Sequence, residues 1–182
     1  RTGGSSPDAS SAVSPAPPST SFLIADPLPA PAIELTDATG SRRTLAALRG
    51  GPVLVFFGYT HCPDVCPATI GTVGAVIADV GGGLRALFVS VDPERDTQAL
   101  LSQYVPAFHP SFVGMYGDAE ATRRTAKEFK IFYQKQPLKD GGYTVDHSAG
   151  TYIFDASGRL RLFAAYGQAA PKLLHDIRIL LQ

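Results

Sequence analysis

The sequence contains only two cysteines, Cys62 and Cys66, which lie four positions apart. Two cysteines are too few for the set of disulfides that holds a small cysteine-rich scaffold together. At this spacing they suit either a redox pair or a site for a soft metal ion. The cysteine count does not by itself indicate a cellular compartment.

The sequence also has no excess of charge of either sign, because 16 Lys and Arg residues balance 16 Asp and Glu residues. A chain with this balance has no net electrostatic field that would hold DNA or an anionic membrane surface. We therefore expect no nucleic-acid partner for this protein.

No hydrophobic run reaches the roughly 18 to 20 residues that span a bilayer. The longest runs, such as Val53 to Phe57, have the length of strands. The chain begins at Arg1 instead of Met, which is typical of a processed product. We expect the removed segment to have been a signal or a membrane anchor.

The composition divides the chain into two parts. Residues 1–31 are rich in Ser, Pro and Ala, and they bury too little apolar surface to offset the entropy of ordering, so we predict a flexible tether. Residues 32–182 contain the hydrophobic periodicity of a folded domain. The length of 182 residues, with 45% hydrophobic and 18% charged residues, is sufficient for one core.

Strands and helices alternate through the predicted domain, which indicates an α/β fold. The predicted elements are a hairpin at 33–36 and 42–45, a buried strand at 52–58, a helix at 65–80, a strand at 84–91, a helix at 97–108, a strand at 112–116, a helix at 119–129, an extended segment at 143–145, a hairpin with the alternation of a sheet edge at 151–155 and 160–164, and a helix at 170–181. This order resembles a thioredoxin fold, with a central mixed sheet, flanking helices and an extra N-terminal β-hairpin.

The two cysteines belong to the motif GYTHCPDVCP, at 58–67, where the buried strand meets the first helix. Residues four apart at a helix start lie on one face, so both sulfurs can contact one metal ion. The partial positive charge of the helix N-terminus is expected to favour the thiolate form of Cys62 and Cys66. Two buried cysteines without a chemical role are the alternative, but the flanking prolines are not typical of core packing.

His147 is the histidine that could complete such a site. It lies in the segment VDHS, at 145–148, just before a predicted strand. In thioredoxin-like chains the loop that enters this strand passes over the cysteine motif, so imidazole and two thiolates would form a set suited to copper. Asp146 could orient the ring from outside the site. The alternative is an ordinary surface histidine.

The other three histidines are weaker candidates. His61 precedes Cys62 and should therefore point away from the face that Cys62 uses. We expect it to be exposed or to support the site from outside. His109 and His175 have no neighbours that suggest metal binding, and we expect both to be solvated.

The segment VDPERDT, at 91–97, places acids and an arginine in a tight turn between a strand and a helix. The simplest interpretation is a network of charges and hydrogen bonds that caps the following helix, with Thr97 as its N-cap. Because this turn lies at the same edge of the sheet as the cysteines, we expect Asp92 and Asp96 to support the site.

Together these three motifs resemble the Sco (SenC) family of copper proteins, from about residue 27 to the C-terminus. The resemblance implies a thioredoxin fold and copper, Cu(I) or Cu(II), bound by Cys62, Cys66 and His147. It implies that the protein delivers copper to the dinuclear copper centre of cytochrome c oxidase subunit II. It also implies a location outside the cytoplasm and an N-terminal membrane anchor. A monomer is expected, and another periplasmic copper chaperone could supply the metal.

Three functions fit these residues. The first is a metallochaperone that passes copper to an apo-oxidase subunit by exchange of ligands. The second is a thiol–disulfide oxidoreductase in which Cys62 and Cys66 are catalytic and reduce the cysteines of the partner. Its spacer of three residues, against the two usual in thioredoxin-like redox motifs, disfavours it. The third is a sensor of copper or redox state.

Overall fold

The computed structural model describes residues 22–29, 34–63 and 65–181. The strands are β1 (Phe22–Pro29), β2 (Glu34–Asp37), β3 (Arg42–Thr44), β4 (Val53–Gly58), β5 (Arg85–Ser90), β6 (Phe112–Tyr116), β7 (Tyr133–Pro137), β8 (Tyr143–His147), β9 (Gly150–Phe154) and β10 (Arg159–Ala165). The helices are α1 (Val65–Val80), α2 (Gln98–Tyr104), α3 (Ala119–Glu128) and α4 (Ala170–Leu181), with a 3-10 turn at Leu45–Leu48. No described helix is long and apolar enough to cross a membrane.

Eight of these strands form one mixed sheet in the order β1-β10-β9-β4-β5-β6-β2-β3. Strand β4 runs parallel to β5 and antiparallel to β9, and β5 runs parallel to β6. The predicted mixed α/β sheet is therefore confirmed. Since α1 follows β4 directly, the cysteine motif lies at the carboxyl edge of the sheet.

Both faces of β4 are buried because every residue of VLVFFG is apolar or glycine. Leu54 and Phe56 face a core formed with α1, α2 and α4. Val55 and Phe57 face the opposite core, which includes Phe129 at the end of α3. Alternate residues of a strand point to opposite faces, so this continuous apolar run requires helices on both sides of the sheet.

The predicted N-terminal hairpin is confirmed as β2 and β3, which pair from Glu34 with Thr44 to Thr36 with Arg42. β2 also pairs with β6, and it thereby attaches the hairpin to one edge of the sheet. The turn between β2 and β3 is held by Asp37, whose buried carboxylate accepts hydrogen bonds from the backbone N–H groups of Thr39 and Ser41.

The other edge of the sheet corrects two predictions. Phe22–Pro29, within the predicted tether, forms β1 and pairs with β10, so β10 is not an edge strand. The apolar residues at 22–24 and 28 compose part of this strand, and its register shifts between Leu23 and Leu28. The rest of the predicted tether, residues 1–21 and 30–31, lies outside the described residues.

A second sheet, formed by β7 and β8, was predicted only in part. The segment 143–145 was expected to be extended, but β8 continues to His147 and β7 was missed. The sequence of β7 is YQKQP, which lacks the hydrophobic alternation that identifies a strand. Its backbone pairing with β8 outweighs the weak local pattern.

Helix α2 is shorter than predicted, since it ends at Tyr104 instead of Phe108. Pro106 has no backbone N–H to continue the ladder of helical hydrogen bonds, which explains the early end. At the other end the predicted N-cap is confirmed, because the Thr97 side chain accepts a hydrogen bond from the N–H of Leu100.

Replacing Asp37 with asparagine should destabilise the fold by about 2 kcal/mol near neutral pH. Burial alone would raise the pKa of Asp37, but hydrogen bonds from Thr39, Arg43 and Ser41 outweigh it and lower the pKa to about 2. Because the folded-state pKa lies below the ordinary value of 3.8, this stabilisation is complete above pH 3.8 and is lost as the pH falls towards 2.

Denaturant unfolding of the protein and of Asp37→Asn, measured at pH 6 and again at pH 3, tests this prediction. The difference in the free energy of unfolding should shrink at the lower pH. Asp79→Asn, at an exposed position of α1, serves as the control and should change the stability by less than about 0.5 kcal/mol. A difference at Asp37 that does not depend on pH would contradict the account.

Candidate metal centre

The cysteine loop connects β4 to α1 and buries both sulfur-bearing residues. Cys62 is 8% exposed and Cys66 is 2% exposed, and neither forms a disulfide. The backbone N–H of Cys62 donates to the carbonyl of Tyr59 at 3.2 Å, which closes a tight turn after the strand. The N–H of Cys66 donates to Cys62 Sγ at 3.3 Å. The loop and the first turn of the helix therefore fix the two thiols beside each other.

His147 approaches the cysteines from the end of β8. Its Nε2 lies 3.7 Å from Cys66 Sγ. Its Nδ1 lies 3.0 Å from the carbonyl oxygen of Ser148, which can only accept a hydrogen bond, so Nδ1–H is the donor and Nε2 is the ring nitrogen that faces the sulfur. The ligand atoms of Cys62, Cys66 and His147 all lie within 4.8 Å of one another. The structure thus brings together the three residues that the sequence analysis selected.

The expected role of Asp146 needs correction. The group that holds the His147 ring is the backbone carbonyl of Ser148 and not the Asp146 carboxylate. Adjacent residues of a strand point to opposite sides, and Asp146 is exposed on β8 while His147 is half-buried. The neighbour in the sequence is therefore not the neighbour of the ring.

For Cys66, the structure corrects the expectation that the helix N-terminus favours the thiolate form. Burial raises the pKa of the Cys66 thiol, and the adjacent sulfur of Cys62 raises it further. The free-energy cost of removing a thiolate from water is larger here than the stabilisation that the helix dipole provides. Burial therefore favours the neutral thiol of Cys66, and a cation bound beside it would favour the thiolate.

An open cavity of about 400 Å³ leads from the protein surface to the site. Cys62 and His147 line it, together with Tyr59 and Pro63. The site is therefore accessible to a partner's side chain while most of the surface of both cysteines is covered. Such access is needed if a metal ion is to enter or leave by replacement of one ligand at a time.

Asp96 stabilises the start of the cysteine loop through hydrogen bonds to Thr60. Its carboxylate accepts a hydrogen bond from Thr60 Oγ1 at 2.6 Å and from Ser90 Oγ at 2.7 Å, and the N–H of Thr60 points to the same carboxylate. Burial raises the pKa of Asp96, although these hydrogen bonds oppose the increase. Thr60 lies two residues before Cys62, so Asp96 fixes the start of the loop that contains the cysteines.

Asp92 contacts Tyr143, one of two residues at the site that sequence reasoning missed. It is buried, and it pairs with Arg95 and accepts a hydrogen bond from the Tyr143 hydroxyl. Tyr59, the second missed residue, packs its ring edge-to-face against His147 with 5.9 Å between ring centroids. Its place inside the cysteine motif was the only signal that could have identified it.

His61 is exposed, as expected, and its Nδ1 lies 3.1 Å from Thr60 Oγ1. A nitrogen of His61 and carboxylate oxygens of Asp92 and Asp96 also lie within 4.8 Å of one another. Both carboxylates have protein partners, because Asp96 accepts hydrogen bonds from Thr60 and Ser90 and Asp92 accepts one from Tyr143. His109 and His175 join neither group within the described ranges.

Comparison with known proteins identifies relatives of this chain. The model of one protein family, SCO1/SenC, matches residues 29–182. The chain belongs to the SCO1/SenC family. It is 35% identical over 150 residues to a protein of Bos taurus named "Protein SCO2 homolog, mitochondrial". The aligned residues cover 79% of this chain and 56% of the relative. The chain spans about half the length of the first curated relatives that it matches.

Solved structures of SCO1/SenC proteins share the fold. ScoI of Bradyrhizobium japonicum, solved with copper bound, is 36% identical with a TM-score of 0.76, over 84% of this chain and 99% of that one. BsSco, described as a member of the Sco family of cytochrome c oxidase assembly proteins with a disulfide switch, is 20% identical with a TM-score of 0.65, over 86% and 96%. At this lower identity BsSco supports the fold alone, which confirms the predicted thioredoxin-like architecture.

Proposed function

We propose that this SCO1/SenC domain is a copper chaperone that holds one copper ion with Cys62, Cys66 and His147. The observation that supports this proposal most directly is the convergence of two sulfurs and one imidazole nitrogen within 4.8 Å. Thiolates select the soft Cu(I) ion, and imidazole also suits Cu(II). ScoI of Bradyrhizobium japonicum, a family member of similar fold, has been solved with copper bound.

The target of delivery is the dinuclear copper centre of cytochrome c oxidase subunit II. BsSco is described as a member of the Sco family of cytochrome c oxidase assembly proteins. The cavity beside Cys62 and His147 gives a partner's thiolate access to the metal. Ligands of the partner could replace His147 first and the two cysteines afterwards, one donor for each ligand that leaves, so that the ion stays bound to protein throughout.

We place this activity outside the cytoplasm, with the domain held at a membrane by an N-terminal anchor. The domain acts as a monomer and receives copper from another periplasmic copper chaperone. Equal numbers of acidic and basic residues are consistent with recognition of a protein partner through a local surface instead of a strong net field.

A second function, the reduction of the partner's cysteines, is favoured by one specific observation. Cys62 and Cys66 are both free, and the N–H of Cys66 points to Cys62 Sγ. In such a reaction the two thiols of this chain become a disulfide while the disulfide of the partner becomes two thiols, with two electrons and two protons passed to the partner.

Mixing experiments with a soluble subunit II copper domain distinguish the two functions. We expect the copper-loaded, reduced protein to transfer its metal to the copper-free domain with reduced cysteines, as measured by metal analysis of the separated proteins. In a parallel sample, the metal-free reduced protein is mixed with the domain whose cysteines form a disulfide. Retention of copper by the chaperone, together with rapid reduction of that disulfide, would overturn the delivery function in favour of the reductase.

A further inference from the structure

Arg95 reaches from the turn after β5 to the first residue of β8. Its Nε lies 2.5 Å from Asp92 Oδ2, and its Nη1 donates to the backbone carbonyl of Tyr143 at 3.0 Å. The guanidinium carbon lies 3.6 Å from the centroid of the Tyr143 ring, which is the geometry of a cation–π contact. One side chain therefore binds the backbone and the ring of the same residue.

Tyr143 completes this arrangement by donating its hydroxyl proton to Asp92 Oδ1 at 2.7 Å. The three residues Asp92, Arg95 and Tyr143 form a closed set, which we call the β8 clamp. The Asp92 side chain is fully buried, so both of its partners are needed to offset the cost of removing its charge from water. The β8 clamp is accordingly a fixed point to which the strand is attached.

Strand β8 needs such an attachment. Among the described strands it pairs with β7 alone, in a two-stranded sheet separate from the main one. An isolated two-stranded sheet is marginally stable in water. Besides the β8 clamp, Tyr59 also holds β8 near the cysteines, because its hydroxyl accepts a hydrogen bond from the N–H of Val145 at 3.2 Å and its ring packs against His147. Since His147 is the last residue of β8, its position depends on these contacts.

The simpler interpretation of Arg95, as part of a helix cap, does not account for its side chain. The cap of α2 is supplied by Thr97, whose side chain accepts from the N–H of Leu100. The side chain of Arg95 points instead to Tyr143, 48 positions away in the sequence. Its contacts therefore serve the strand that contains His147 and not the helix that follows Arg95.

We infer that Arg95 is a positioning residue that acts through Tyr143 and β8 to hold His147 Nε2 against the cysteine pair. This inference rests on the proposed copper site, because it assigns to Arg95 the placement of one of the proposed ligands. Loss of a group that orients a metal ligand typically costs about 10- to 100-fold in metal affinity. We expect an effect in that range for Arg95→Ala.

A double-mutant cycle tests whether Arg95 acts through His147. Copper(II) affinity is measured for the protein, for Arg95→Ala, for His147→Ala and for the double variant. Arg95→Ala alone should weaken binding about tenfold or more, but it should have no further effect when His147 is already absent. Electron paramagnetic resonance of the bound copper(II) should show the nitrogen coupling weakened or lost in Arg95→Ala. Arg42→Ala, which removes an arginine from an exposed ion pair with Glu34, is the matched control and should change neither result.

The outcomes separate this inference from the proposed site. If His147→Ala retains full copper affinity, the ligand set is wrong. If His147→Ala weakens copper binding but Arg95→Ala does not, Arg95 is not a positioning residue. The same conclusion follows if Arg95→Ala weakens binding equally in the unmodified protein and in the His147→Ala variant. Should Arg95→Ala fail to fold, Tyr143→Phe replaces it in the cycle, since it removes only the hydrogen bond to Asp92. The effect of Tyr143→Phe must also vanish in the His147→Ala background, and persistence there would overturn the inference.

Discussion

Replacing His147 with alanine should lower the affinity for copper(II) by at least about 100-fold, because the change removes a proposed ligand itself and not only a group that orients one. The Nε2 atom that lies 3.7 Å from Cys66 Sγ is lost, and no other histidine of the described chain joins this group. Copper(I) binding should decline less, because two thiolates alone can hold that ion in a linear site. Competition titrations with a chelator of known affinity measure both effects.

The same variant should still form a disulfide between Cys62 and Cys66, since the loop that holds them depends on β4, α1 and Asp96 and not on His147. His61→Ala is the matched control, because His61 lies beside Cys62 in the sequence but belongs to a different group of side chains. Equal losses of copper(II) affinity in the two variants would exclude a specific role for His147.

Gly58→Ala should destabilise the protein by about 1–3 kcal/mol and weaken copper binding at the same time. A Cβ at position 58 would lie 2.8 Å from Cys66 Sγ and 3.0 Å from the ring of Phe88. Both neighbours are buried, so the new methyl group has no free space. The sulfur of Cys66 must move, and the geometry of the two thiols with His147 must change with it.

Gly71→Ala provides the comparison, because a Cβ at that exposed position of α1 would meet nothing within 4 Å apart from the neighbouring backbone of the helix. We expect it to stabilise the helix by up to about 1 kcal/mol and to leave copper binding unchanged. Denaturant unfolding and copper titration of both variants measure these effects. A Gly58→Ala variant with full stability and full copper affinity would show that the close packing around Cys66 is not required.

The sequence was sufficient to predict the central sheet and the three residues that meet at the site. The run VLVFFG has the pattern of a strand buried on both faces, and the cysteine motif follows it directly. His147 was predicted from the order of elements in a thioredoxin-like chain and from the family resemblance. Spacing along the chain could not select it, because it lies 81 positions from Cys66.

The supporting contacts could not be predicted for the same reason. Tyr143 and Arg95 are 48 positions apart, and nothing in the local pattern of either segment indicates that they meet. The segment VDPERDT was expected to cap a helix, and Thr97 does so, but Asp92 and Arg95 contact β8. Strand β7 was missed because its residues are mostly polar, and its pairing with β8 depends on tertiary structure.

The protonation of Cys66 illustrates a limit of local reasoning. The sequence placed this cysteine at the start of a helix, where the dipole lowers the pKa of a thiol. The structure shows that the residue is 2% exposed and that burial raises the pKa instead. Burial is a property of the assembled core, so the sign of the shift depends on packing that no motif describes.

The proposed site holds one copper ion with Cys62, Cys66 and His147. The most direct test is an anaerobic titration of the fully reduced protein with copper(I) and with copper(II), in which stoichiometry and the thiolate-to-copper charge-transfer absorption are measured. The account predicts one tightly bound equivalent and loss of the charge-transfer band in Cys62→Ser. Absence of copper binding, with rapid thiol–disulfide exchange in its place, would contradict it and identify the domain as a thiol oxidoreductase.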